Sequence, residues 1–361
     1  MNDRLAHLDG MRGLAILLVV GYHTFARRPE LTPFGFDYVE IYPFKVGWLG
    51  VELFFLISGF LITMSIERYP NFFVFFGKRW LRLFPAMLVV TIIIFTTAAL
   101  LPDRPKGTPA LTDVIPGLFF IEPAWLHKIF GISARSLEGG FWTLYVEAKF
   151  YFFAAIFYYL FRQHNLYYYL FAAFIAAVAL NIANQFINHS LIHILTSITY
   201  HGSFEYFGWF AAGTAAYYYH RTKQPTWLCA GLIAAFASCV YYINKEGLEV
   251  FFNICVIVIL FFSACVSDYV KKALSNRIFL FFGFISYPLY LVHDNMLIGM
   301  MIKIHSLFPN TTMAEYLLPP MALVVLIAFV VAKYAEPYMR NTINSYIATK
   351  HIATKQKNRT P

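Results

Sequence analysis

Apolar runs close to twenty residues long, separated by short polar connections, recur along almost the whole of this 361-residue chain. No other feature constrains the fold as strongly. About 20 apolar residues in a helix cross a hydrocarbon layer of about 30 Å. Inside lipid the backbone has no water to bond, so each run must satisfy its own peptide groups as a helix. Ten spans are expected: 12–26, 46–66, 84–101, 142–161, 167–186, 204–219, 227–243, 249–266, 279–302 and 317–335. Composition agrees, with 59% hydrophobic and only 13% charged residues, against about 25% charged in ordinary soluble domains. The chain therefore reads as an all-α, polytopic transmembrane helix bundle over residues 1–339, followed by a polar, basic tail over 340–361. The run 111–121 is too short to span and contains Pro116 and Gly117, so it is expected in an outer loop on the membrane surface.

An even number of spans puts both termini on one side. Of the 28 Lys and Arg, about twice as many fall on the terminal side as on the other, and the positive-inside rule then makes the termini cytoplasmic. The net charge of +9 thus reflects topology, and no nucleic-acid partner is expected. Cys229, Cys239, Cys255 and Cys265 lie inside apolar runs at spacings that match no metal pattern, so no metal is expected. The first run is short enough for a signal-peptide core but lacks a small-residue cleavage site and is followed by "ARRP"; it is expected to remain as the first span.

Ionisable side chains within spans are costly and point to function. Arg12 and His23 are eleven residues apart, about 20° past three full helical turns, so they share one face about 16 Å apart along the axis. Arg12 then sits at the inner boundary and His23 in the outer half, with Asp9 one turn before Arg12. In "WLGVELFFLISGFL" (48–61), Trp48 and Glu52 enter at about the depth of His23, while Ser58 and Gly59 lie deeper. Glu52 is the expected partner of His23, able to orient the imidazole as a triad carboxylate does. Lys78, Arg79 and Arg82 gather before the third span. Lys78 reads as a topology-setting charge, whereas the Arg pair suits either topology or phosphate. Thr143, Glu147 and Tyr151 form a stripe at i, i+4, i+8, with Lys149 on another face. Ser286, Tyr290 and His293 share a face of the ninth span, where Pro288 is expected to kink the helix. His293 is either a structural histidine or a second one in the site.

The motifs "LDGMRGLAILLVVGYH", "GVELFFLISGFLI", "KRWLRLFP", "FWTLYVEAKFYF" and "SYPLYLVH" follow one another from residue 8 to 293. In this order they resemble the acyltransferase family 3 membrane proteins, in their stand-alone form without a fused extracytoplasmic hydrolase-like domain. The resemblance implies transfer of an acyl group, most often acetyl, from cytoplasmic acetyl-CoA to a hydroxyl of an envelope polysaccharide or a lipid-linked sugar. It implies that His23 is catalytic and that Arg12, Arg79, Arg82 and Glu147 are functionally important, in a multi-pass protein of the bacterial inner membrane. Members often carry "WSLSVEEQFY" where this chain has "WTLYVEAKFY", so the second acid is Ala148 here. The expected catalytic set is His23, Glu52 and Glu147. Arg12, Arg79 and Arg82 are expected on acyl-CoA, and Asp9, Trp48, Ser58, Tyr290 and His293 on the substrate or around the catalytic groups. His23 would act as general base or carry the acyl group itself. A secondary transporter with a buried His/Glu proton relay is the rival expectation, since it too would have kinked helices and buried ionisable groups.

Overall fold

The computed structural model describes residues 5–161 and 165–357, with side chains for 244–246 and 347–357 left out of that description. All regular structure among the described residues is helical. In chain order the helices are α1 (Ala6–Phe25), α2 (Gly50–Ile66), α3 (Phe72–Thr97), α4 (Val114–Phe119), α5 (Pro123–Phe130), α6 (Trp142–Leu160), α7 (Leu166–Phe186) and α8 (Ser190–His201). They continue as α9 (Phe207–Thr222), α10 (Pro225–Glu246), α11 (Leu248–Val266), α12 (Asp268–Leu274), α13 (Arg277–Leu307), α14 (Met313–Val330) and α15 (Glu336–Lys357).

Every expected span coincides with a helix, but not every helix is a full apolar span. Among the described residues six are long and apolar enough to cross a membrane, and α12 with α13, bent by 65° at their break, makes a seventh if the pair is one span. Together they make this an integral, multi-pass membrane protein. The others on the ten-span plan fall short for visible reasons: α1 carries Asp9, Arg12 and His23, α6 carries Glu147 and Lys149, and α9 has only 16 residues. Burial sorts the spans by position. The window of α2 is 83% buried, those of α7, α10 and α11 between 28% and 33%, so α2 is central and the other three form the perimeter.

The bundle closes around α1 through glycine. A Cβ on Gly13 would lie 1.9 Å from the Phe279 carbonyl oxygen, and one on Gly283 would lie 1.9 Å from that of Asp9. The backbones of α1 and α13 therefore touch, which only glycine permits. Gly59 does the same for α2 against α9, its missing Cβ 2.2 Å from the Phe210 oxygen.

Three features stand out at the level of elements. The 111–121 region folds into a 3-10 turn and the short helix α4, pinned by Asp113, which accepts from the Ala110 and Arg135 N–H groups at 2.9 and 2.6 Å. Helix α13 is continuous through Pro288, and a bend of 65° separates it from α12 at Ser275–Asn276. The division at 339/340 lies inside α15, which follows α14 through a π turn at Val331–Ala335. Pro337 does not stop that helix, which continues from α14 without a break through the π turn at Val331–Ala335. Residues 358–361 of the expected tail lie outside the described residues.

Candidate active site

The last turn of α1 and the middle of α13 bring two histidines together 270 positions apart in the chain. His23 Nδ1 lies 2.6 Å from His293 Nε2, with the rings stacked 4.7 Å apart and 9° from parallel. Both are buried. Their neighbours settle which nitrogens carry protons. His293 Nδ1 is 2.9 Å from the Tyr290 carbonyl oxygen and 3.2 Å from that of Leu289, both acceptors, so Nδ1 carries the hydrogen and Nε2 the lone pair. His23 must then donate from Nδ1, which leaves its own lone pair on Nε2. Arg27 Nη1, a group that can only donate, meets that lone pair at 2.8 Å. The hydrogen bonds thus run one way, Arg27 to His23 to His293 to the backbone of α13, with both imidazoles neutral.

Arg27 reaches this place because its N–H bonds back to the Tyr22 carbonyl at 2.9 Å and keeps the chain turning beyond α1. Asp294, buried beside His293, binds Arg28 at 2.9 Å and Arg27 at 3.4 Å. Gly139 admits this cluster: a Cβ there would stand 2.7 Å from Asp294 Oδ2. Glu138, in the loop before α6, accepts the Asn295 N–H at 3.0 Å, while its Oε1 has no hydrogen-bond partner among the described residues. Burial, reinforced by the charge of Asp294, holds its carboxyl well above the usual carboxylate range.

A cavity of about 310 Å³ opens on the opposite side of these histidines, toward the N-terminal end of α1. Asp9 and Arg12 of α1, Arg82 of α3, and Glu336 and Arg340 of α15 line it. Further in, the walls are Ser58 and the Thr143, Glu147, Tyr151 stripe. Glu147 Oε1 accepts from Ser58 at 2.8 Å and from Tyr151 at 2.5 Å. The inner end is formed by Thr143 and Tyr290. Tyr290 Oη donates to the Gly140 carbonyl at 2.6 Å and lies 2.6 Å from the Thr143 hydroxyl. Neither histidine lines the cavity. One turn of α13, from Tyr290 to His293, separates the two.

The expected site residues thus divide. Arg12, Arg82, Asp9, Ser58, Glu147 and Tyr290 meet in the cavity, and His23 and His293 meet beyond it. Glu52 is not where it was expected. Its Oε1 accepts from Tyr242 Oη at 2.8 Å, and Trp48 stacks on the same tyrosine at 6.2 Å. Depth placed Glu52 level with His23, but the rotation of α2 turns it toward α10, and His293 takes the partner's role. Arg79 is also outside the cavity, its guanidinium over the Phe75 ring at 5.7 Å. Lys149 pairs with Glu122 of the loop. Sequence reasoning missed Arg27, Asp294 and Arg340. The i, i+4 spacing of His23 and Arg27 was a signal for the first; the other two needed the packing of α13 and α15.

A family model described as an acyltransferase domain matches residues 5–334. The chain belongs to that family. Among its relatives are the peptidoglycan O-acetyltransferase OatA of Listeria monocytogenes, 26% identical over 156 residues, and YrhL of Bacillus subtilis, 31% identical over 157, which bears a provisional peptidoglycan O-acetyltransferase name. A Staphylococcus aureus (strain COL) protein, provisionally named an O-acetyltransferase, is 29% identical over 157 residues. Each match covers 40% of this chain but only 22–23% of the relative, so the chain matches less than a quarter of their length. No solved structure matches it. Helix α15, with Glu336 and Arg340, lies past the end of the stretch that the acyltransferase model matches.

Proposed function

We propose that this protein is a membrane O-acyltransferase that moves an acyl group, most simply acetyl, from acyl-CoA to a hydroxyl of a cell-envelope glycan. The observation that carries this reading is the His23–His293 pair of fixed tautomers, one helical turn beyond an arginine-lined cavity, in a chain of the acyltransferase family. In this reading the cavity faces the cytoplasm of a bacterial cell, where acyl-CoA is made, and both termini lie on that side.

The residues present suit the donor. CoA carries phosphates, and Arg12, Arg82 and Arg340 offer guanidinium groups at the cavity's N-terminal end. Asp9 and Glu336 stand among them in the lining. The apolar side chains Phe54, Phe55 and Leu61 line the path inward and suit the pantetheine arm. The thioester would end at Thr143 and Tyr290, whose hydroxyls are tied to each other and to Gly140 and must part for the acyl carbonyl to reach His23.

At that point Nε2 of His23 supplies the chemistry. As general base it takes the proton of the acceptor hydroxyl while the oxygen attacks the thioester carbonyl; the C–S bond breaks and the CoA sulfur leaves, receiving that proton from the imidazolium. As nucleophile, Nε2 takes the acyl group with loss of CoA thiol and passes it to the hydroxyl in a second step. In both routes His293 accepts the Nδ1–H and shares the positive charge that develops on His23. The names of the relatives support a glycan acceptor of the peptidoglycan type. The test is mass spectrometry of envelope glycans from cells with the gene intact, deleted, or carrying His23→Ala. Acetyl ester should vanish in the deletion and fall at least ~100-fold with His23→Ala. Normal acetylation by His23→Ala would sink the proposal, and an acyl-imidazole trapped on His23 without acceptor would select the second route.

A further inference from the structure

The position of Arg27 raises a question that the transfer reaction does not answer. The lone pair His23 needs for either route is already occupied. Arg27 donates to it at 2.8 Å, and a guanidinium neither gives up its charge nor accepts a proton. In this arrangement His23 can take neither a proton nor an acyl group. Yet the same guanidinium has a second seat within reach. Nη1 is 3.4 Å from Asp294 Oδ2, and Nη2 is 3.4 Å from the Gly139 carbonyl oxygen. Both are longer than a well-formed hydrogen bond, so these acceptors are incompletely used. The other oxygen of Asp294 is taken at 2.9 Å by Arg28, which holds the buried carboxylate in reach of Arg27. A swing of the Arg27 head toward Asp294 would close the 3.4 Å contacts to normal length and, once Nη1 has moved by about 1 Å, leave it too far from His23 Nε2 to hold that lone pair.

We propose that Arg27 is a positioning residue with two seats: it caps the His23 lone pair at rest and moves onto Asp294 and the Gly139 carbonyl when His23 works. The cap fixes the tautomer of the pair, because it forces the His23 proton onto Nδ1 and so toward His293. The site is thereby poised and closed to water and stray electrophiles in the same arrangement. The proposal rests on the reading of His23 as the reacting group, but its first test does not depend on acyl transfer.

That test is the reactivity of His23 toward diethyl pyrocarbonate, which acylates a free imidazole lone pair, in the full chain in lipid nanodiscs, read by peptide mass spectrometry. Arg27→Met removes the donor and keeps the bulk, and Arg27→Ala also widens the approach. Both should raise modification of His23 about tenfold, and Arg27→Lys, which restores a donor, should return it toward the wild-type value. His293 should stay unmodified throughout, since His23 holds its lone pair. Asp294→Asn weakens the second seat, so His23 modification should fall and kcat for acyl transfer should drop more than KM changes. Equal modification of His23 in wild type and both Arg27 variants, including none in any, would overturn the proposal, as would faster modification in Asp294→Asn. If the Arg27 variants behave as stated while no acyl transfer is found, the cap stands and the function assigned to the pair does not.

Discussion

At the scale of single residues, the outer side of the site is a set of buried polar groups whose neighbours decide their protonation. Glu138 shows this for the loop before α6. It is 1% exposed, one oxygen receives the Asn295 N–H, and the other has no partner among the described residues. An ionised carboxylate there would face an unpaired desolvation cost and the charge of Asp294. Its folded-state affinity for a proton is therefore raised. A raised carboxyl contributes stability in full below its unfolded value near 4.5, and loses that contribution as pH climbs through its raised folded value. Glu138→Gln keeps the acceptor for Asn295 and removes the titration. Thermal unfolding of the purified protein from pH 4 to 9 should show the variant more stable than wild type at the alkaline end, by about 1–3 kcal/mol, with the two converging on acidification. Parallel curves would contradict the assignment. The same scale shows the limit of reading a sequence. Arg12 and His23 were legible because both lie on one helix, where phase is arithmetic. The His23–His293 contact joins α1 to α13 and depends on how each is rotated. Rotation also misplaced Glu52: hydropathy gives depth, and depth does not say which neighbour a side chain faces.

At the scale of elements, the distance between the histidines is set by how closely α1 and α13 approach. Gly13 and Gly283 let the two backbones touch, each missing Cβ falling 1.9 Å from a carbonyl oxygen of the other helix. Gly13→Ala must push the helices apart, since the obstacle is backbone and cannot rotate away. The expected cost is about 3 kcal/mol in thermal unfolding, with loss of acyl transfer because His23 is drawn from His293. Gly77→Ala in α3 is the control. A Cβ there meets nothing within 4 Å, and the gain in helix propensity of up to ~1 kcal/mol should leave the protein as stable as wild type or more so. If both variants unfold alike, the close approach is not what sets the pair. Helix placement was largely legible because each expected span carried enough apolar residues to mark itself. Helix α15 was not, since its polar sequence lacks that mark. Helix α8 was missed because its twelve residues are too few to register as a span.

At the scale of the whole molecule, the cavity is assembled from α1, α2, α3, α6, α13 and α15, the first and last described helices among them. Helix α15 is the unexpected wall. It leaves α14 through a π turn, brings Glu336 and Arg340 to the cavity, and is tied to α3 where Lys78 Nζ donates to Asn344 Oδ1 at 3.2 Å. Arg340 is exposed, so in the proposed reaction it can meet a phosphate of the donor at the mouth without being needed to hold the bundle together. A contact of that kind binds the donor equally before and during transfer, and such uniform binding appears in KM rather than kcat. Arg340→Gln should therefore raise KM for acetyl-CoA about fivefold, a charge-assisted hydrogen bond reduced by solvent screening, while kcat stays within about twofold. Higher salt should shrink the difference between the two proteins, because an exposed guanidinium is screened. Arg82→Gln, deeper in the same cavity, should raise KM more and respond less to salt. If Arg340→Gln leaves KM unchanged at low salt, α15 closes the bundle without touching the donor. The phosphates of the proposed donor would then fall to Arg12 and Arg82.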